Sequence, residues 1–408
     1  MPATVEFARG SLLERQKPPI VILAAVSAIG PLALNIFLPS IPGLAHFYGV
    51  DFGTIQLTFT LYLVGLAVGQ LLYGPLSDRF GRRPPLIAGL VLFVVTSFIC
   101  ALGPPLELLV ATRILQAIGG CSGIVLARAI VRDLYGRDKA ASMIGYITMA
   151  WVLAPMMAPS LGGLLYVNFG WQSTFVFVGA AGFLVLLASW RWLHETRFPE
   201  GEAGEALDLL HAFGKLTRSR GYLSYALPTA FTSAVFFSFL GGAPYLTIEV
   251  MKLSPVAYGL WFILVSLGYF LGNFASGRFS ERVGVDGMIL IGSLLALAGV
   301  LVAAVAALLG QLSPAMLFIP MMVVSIGNGM SISNGLAGSV SVYPAMAGAA
   351  SGLAGFMQMA LGAGSAQVIG LVQESWNNAL MVIILIWASL AVAIFLMGRH
   401  SRSTGVQS

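Results

Sequence analysis

Arg113 stands in the middle of an apolar run, in Ala111-Thr112-Arg113-Ile114-Leu115-Gln116. A guanidinium at that depth in a bilayer costs at least about 2.5 kcal/mol unless it faces a cavity or a partner. It lies too deep to reach an interface easily, so its planar fork of donors is expected to hold a substrate or another polar group. Gln116, three residues on, shares its helix face and adds an amide. A second concentration of charge is Tyr73-Gly-Pro-Leu-Ser-Asp-Arg-Phe-Gly-Arg-Arg-Pro-Pro85, with one acid, three arginines and two glycines between apolar runs. Asp78 and Arg82 are four apart and share a face if the helix continues. Arg128, Arg132 and Asp133 end a later apolar run and could lie opposite. The chemistry is that of an ion-pair latch; the alternative is that Arg79, Arg82 and Arg83 only fix topology.

Further polar and aromatic side chains interrupt the apolar runs: Asn35, Gln56, Phe59, Tyr62, Gln70, Tyr146, Phe236, Phe239, Asn328, Asn334, Met357 and Gln358. Drug-sized pockets are mostly apolar with a few placed polar groups, and these residues are candidates to line one. Asn35 and Gln358 stand out, because buried amides need partners. Cys100 and Cys121 read as small hydrophobes. His46, His194, His211 and His400 lack a second ligand at metal spacing, so no metal or other cofactor is expected. Glu107, Asp133, Glu249 and Glu374 are the acids nearest membrane depth, all near predicted helix ends.

The elements that position these residues follow from composition. The 408 residues are 58% hydrophobic and 9% charged, against roughly 25% charged in soluble domains, and mean hydropathy is +0.90. The lipid bilayer is the expected solvent, and nucleic acid is not an expected partner. Twelve continuous apolar stretches of about 20 residues predict membrane-spanning helices rather than a barrel. Nearly all Lys and Arg outside the spans fall on the side of the termini, Lys252 being the exception, which predicts cytoplasmic termini. The polar segment 194–221 divides an N-terminal six-helix half, 1–193, from a C-terminal half, 222–408. The octamers Gly-Pro-Leu-Ser-Asp-Arg-Phe-Gly from Gly74 and Gly-Arg-Phe-Ser-Glu-Arg-Val-Gly from Gly277 match half a chain apart, which predicts two parallel repeats.

With its twelve spans, central loop and the G-x-L-S-D-R-x-G-R-R pattern after span two, the chain resembles the major facilitator superfamily. The stretches "LPSIP", "RILQAIGG", "ARAIVRDLYG", "LAPMMAPSLGG", "FGWQSTF" and "SGLAGFMQMALGA" resemble its bicyclomycin/chloramphenicol resistance family of drug:proton antiporters. The resemblance implies an all-α membrane protein of two six-helix pseudo-repeats, a monomer in the bacterial inner membrane. Substrate contacts are expected at Asn35, Gln56, Phe59, Tyr62, Arg113, Gln116, Phe236, Phe239, Asn328 and Gln358, and the resemblance ties Arg113 to substrate binding and proton coupling. Proton coupling falls to Arg113 and Asp133, with protons as the coupling ion. By the same resemblance Asp78 would meet the amino end of span eleven near Gly348 to Ser351, stabilising the outward-facing state through charges that separate when the inside opens.

Gating would rest on Asp78, Arg82, Arg128, Arg132 and Asp133, and on span five. There Ala154, Ala158 and Gly162 recur every four residues as one smooth face, while Pro155 and Pro159 bend the helix. Gly268 and Gly272 of span eight offer a partner face. Ala154 replaces the usual glycine of the superfamily's antiporter motif. Many relatives also carry an acid in span one where this chain has Asn35, which cannot exchange a proton. The expected activity is efflux of drugs or toxic metabolites without an ATP-binding motif, neutral amphenicol-like molecules being favoured. A facilitator or symporter for a small metabolite is the alternative.

Overall fold

The computed structural model describes residues 18–135, 137–196 and 205–403. Among them, eleven helices are long and apolar enough to cross a bilayer. They are α1 (Ile20–Tyr48), α2 (Phe52–Phe80), α3 (Arg83–Ala101), α4 (Leu106–Leu134), α6 (Gln172–Trp192), α7 (Arg220–Val250), α8 (Pro255–Val283), α9 (Val285–Leu308), α10 (Pro314–Val342), α11 (Ala347–Val372) and α12, apolar over Ala379–Arg399. A further helix, α5 (Arg137–Phe169), 33 residues long, occupies the expected fifth position. Residues 205–218 of the central polar segment form a shorter helix, Glu205–Arg218, leading directly into α7.

Local chemistry sets the ends. Asp51 caps α2, its carboxylate accepting the Thr54 N–H at 2.9 Å and the Thr54 hydroxyl at 2.6 Å, and these bonds hold the carboxyl below its ordinary pKa. Ser254 and Ser313 cap α8 and α10 in the same way, satisfying N–H groups that have no partner inside the helix. α2 and α8 end at Gly81 (φ 86°, ψ 171°) and Gly284 (φ 80°, ψ 156°), a region of backbone space open essentially to glycine alone. These are the last glycines of the two matched octamers, so the sequence repeat is also a backbone repeat. α1 is interrupted after Ile36 by the turn Leu38–Ser40, where Pro39 and Pro42 withhold backbone donors.

The packing repeats too. In the first six helices α2 lies on α4, α3 on α4 and α6, and α1 on α4 and α5. Six positions later α8 lies on α10, α9 on α10 and α12, and α7 on α10 and α11. The two sets meet chiefly through α5 on α8 and α2 on α11, themselves related by the same shift. Large apolar side chains remain on the outside, among them Leu72, Phe98, Phe169, Leu184, Leu301 and Ile319. Such a girdle suits lipid and would be a liability in water.

Candidate transport site and gates

Between the two sets lies a cavity of about 440 Å³, the size of a drug-binding pocket. Its walls come from α1, α2, α4 and α5 on one side and α7, α8, α10 and α11 on the other. Asn35, Phe236 and Gln358 of the expected substrate residues line it, as do Gln70, Arg128 and Pro155. The Asn35 amide donates to the Pro31 carbonyl at 2.8 Å, and its Oδ1 accepts nothing from the described residues. The Gln358 Oε1 accepts the Ser233 hydroxyl at 3.0 Å, tying α7 to α11.

The remaining expected substrate residues lie elsewhere. Gln56, Phe59, Tyr62, Arg113, Gln116, Phe239 and Asn328 are all fully buried and none lines the cavity. Phe239 stacks on Phe262 and meets Phe318 edge to face, joining α7, α8 and α10. Arg113 is enclosed within the first set of helices. Its Nη1 donates to Gln116 Oε1 at 2.6 Å, its Nε to the Thr58 carbonyl at 3.3 Å, and its guanidinium lies over the rings of Tyr62 (4.1 Å) and Phe37 (4.7 Å). Gln116 passes the chain on to the Ser97 hydroxyl at 2.7 Å. Arg113 thus occupies a polar network with aromatic walls. The cavity arginine is Arg128, fifteen residues along the same helix, or about 22 Å at 1.5 Å per residue.

On the side opposite the termini the two sets are sealed. The Phe52 N–H donates to Glu374 Oε1 at 2.8 Å, and the Gln367 amide to the Gly53 carbonyl at 2.9 Å. His46 meets Glu249 at 3.1 Å, an ion pair when the imidazole is protonated, and the rings of Phe52 and Tyr245 are 4.8 Å apart. α5 closes the same side. A Cβ at Gly162 would collide with the Ile36 carbonyl, one at Gly163 would meet the Pro255 carbonyl at 2.5 Å, and one at Gly259 would strike the backbone of Ser160. Ala158 and Pro159 are buried beside them. The partner of α5 on α8 is therefore the Pro255–Gly259 turn and not Gly268 or Gly272, which pack against the Met322 and Ile326 carbonyls of α10. Nine residues at 100° each turn the helix by half a revolution, so Gly259 and Gly268 point in opposite directions.

Toward the termini the cavity is open. Its lining continues there through Arg128, Asn273, Leu336 and Ser351, and Gly348 and Gly352 at the start of α11 face empty space. With this side open, the Asp78 pair is intact. Arg82 Nη1 donates to Asp78 at 2.7 Å and its Nε to Asp133 at 2.8 Å. Burial would lower the Arg82 pKa, but the bond and charge of Asp133 and the charge of Asp78 carry it above its ordinary value. The Asp78–Arg82–Asp133 triad belongs to one set of helices, and the amino end of α11 stands apart from it at Gly348 and Gly352. Asp133 closes the triad, Arg128 turns into the cavity and Arg132 is exposed. Glu195, which the motif reading missed, accepts the Arg82 and Arg83 N–H groups at 2.7 and 3.0 Å, a carboxylate at the start of α3. The Tyr146 and Ala154 side chains lie outside those described.

A family profile described as Major Facilitator Superfamily matches residues 23–367. The chain is 30% identical over 330 residues to a protein named chloramphenicol resistance protein of Pseudomonas aeruginosa, covering 81% of this chain and 78% of that one. It is 27% identical to multidrug resistance protein D of Escherichia coli K12, covering 93% and 97%, and 30% identical to the uncharacterized MFS-type transporter YdgK of Bacillus subtilis, covering 91% and 93%. Among solved structures it resembles a bacterial homolog of the human lysosomal transporter Spinster, with TM-score 0.73 and 17% identity over 94% of this chain and 96% of that one. Repeat, packing, central cavity and these likenesses agree: the chain belongs to the Major Facilitator Superfamily, as a multi-pass membrane transporter and not an enzyme.

Proposed function

We propose that the protein exports drugs or toxic metabolites across the bacterial inner membrane by proton-coupled alternating access. The observation that carries the transport step is the cavity between the two helix sets, sealed on one side by α1, α2, α5, α7, α8 and α11 and open on the other. Efflux of drug-like molecules is supported by relatives named for chloramphenicol, multidrug and bicyclomycin resistance. The basic residues on the terminal side support cytoplasmic termini, which makes this state inward-facing. In this reading the halves 1–193 and 222–408 rock as units about the α5–α8 and α2–α11 contacts, joined by segment 194–221, in a monomer.

Protons are the coupling ion in this reading, with Arg113 and Asp133 as the residues that tie their movement to that of the drug. No Asp or Glu lines the cavity among the described residues, which favours uncharged drugs over cations. The same observation favours a second reading, a facilitator for a small metabolite. Cells lacking their own exporters, given neutral, cationic and anionic drugs, separate the two: antiport predicts resistance, lowered accumulation and proton entry on drug addition. Accumulation that follows the drug gradient with no proton movement would support the facilitator.

A further inference from the structure

The cavity contains one strong cation and nothing described to neutralise it. Arg128 lines the wall from α4, and no hydrogen bond or ion pair joins it to another described side chain. Arg132, one turn on, repeats its charge. Tyr269 of α8 stands near enough to interact with the Arg128 charge. No carboxylate lies among the described lining residues. An uncompensated, partly buried guanidinium is costly, and the cost falls when a bound group accepts its fork of donors. Beside it, Phe236 and Tyr269 stack at 5.8 Å with an interplanar angle of 25°, an aromatic wall for an apolar body.

The geometry points to Arg128 as the residue that selects substrate charge: the cavity takes lipophilic organic acids, their anionic group at Arg128 and their aromatic body against Phe236 and Tyr269. This rests on the efflux reading and narrows it. A carboxylate accepts two parallel bonds from a guanidinium, whereas a neutral ester or amide offers only dipoles, and a cation meets repulsion from Arg128. Arg113 cannot supply this selectivity, since it lies outside the cavity.

The test uses the full-length protein in proteoliposomes with four probes: nalidixate, its neutral ethyl ester, chloramphenicol and ethidium. In the wild type, nalidixate should have a KM at least tenfold below that of its ester, with ethidium the poorest. Arg128→Gln should reduce the acid-to-ester preference at least tenfold, and Arg128→Lys should retain part of it. Equal handling of acid and ester by the wild type, or ethidium as its best substrate, overturns the assignment without recourse to any variant. Chloramphenicol transport with an unchanged acid-to-ester ratio in Arg128→Gln overturns the role of Arg128 but leaves efflux standing. Transport of none of the four overturns both the efflux reading and this inference.

Discussion

Arg113 is held by ring faces and an amide chain, with no carboxylate opposite it among the described residues. Tyr62 lies 4.1 Å below the guanidinium, and the Tyr62 hydroxyl is anchored to the Gly30 carbonyl of α1 at 2.9 Å. The arginine therefore couples α4 to α1 and α2 through a plane and a direction. An ammonium supplies neither. Arg113→Lys should insert and fold yet transport at least tenfold more slowly, as judged by efflux rate at matched expression; near-normal efflux would reduce Arg113 to a source of charge. Gln56 shows a different economy. It is fully buried at the seal, pressed by Gly241 and Gly370, and both of its amide atoms lack a partner among the described residues. An orphaned buried polar group costs about 1–3 kcal/mol, so the sealed state carries a penalty that rocking apart would relieve. Gln56→Leu should raise the thermal unfolding midpoint and slow turnover; a lowered midpoint would show that the amide is satisfied by water.

The seal is built by helices rather than by single bonds. α5 brings Gly162 against α1 and Gly163 against α8, and α8 answers with Gly259, so three backbones approach within side-chain distance. Gly259→Val must push α5 from α8. Cysteines placed beside Glu374 should then react faster with a membrane-impermeant maleimide, and drug efflux should fall; unchanged labelling would mean that α2 and α11 hold the side closed alone. The small-residue face of α5 was legible from its four-residue spacing, because spacing fixes direction. The partner was not. Gly268 and Gly272 have the right composition, but their face is turned to α10, and only the packed register distinguishes Gly259 from them. Arg128 and Arg113 present the same difficulty along the axis: both are arginines of α4, and depth within the bundle decides which one meets the cavity.

At the scale of the whole chain, the repeat was readable from two octamers because their glycines are required by backbone geometry at Gly81 and Gly284. Of the twelve spans expected from hydropathy, eleven recur among the described residues as helices long and apolar enough to cross a bilayer, and α5 lies at the place of the other. The state of the molecule was not readable, since a sequence supplies both sides' contacts and only their difference in free energy chooses between them. Alternating access requires the sealed side to open in every cycle. His46 on the first helix set and Glu249 on the second are joined across that side and remain accessible, while Cys100 and Cys121 are buried. Thiols introduced by His46→Cys and Glu249→Cys can therefore be bridged selectively by a short, cleavable bismaleimide. Bridging should stop transport at least tenfold, cleavage should restore it, and capping each thiol singly should leave most of it. Full transport with the bridge quantitatively in place would mean that this side stays closed throughout the cycle, and the rocking of the two sets would have to be abandoned.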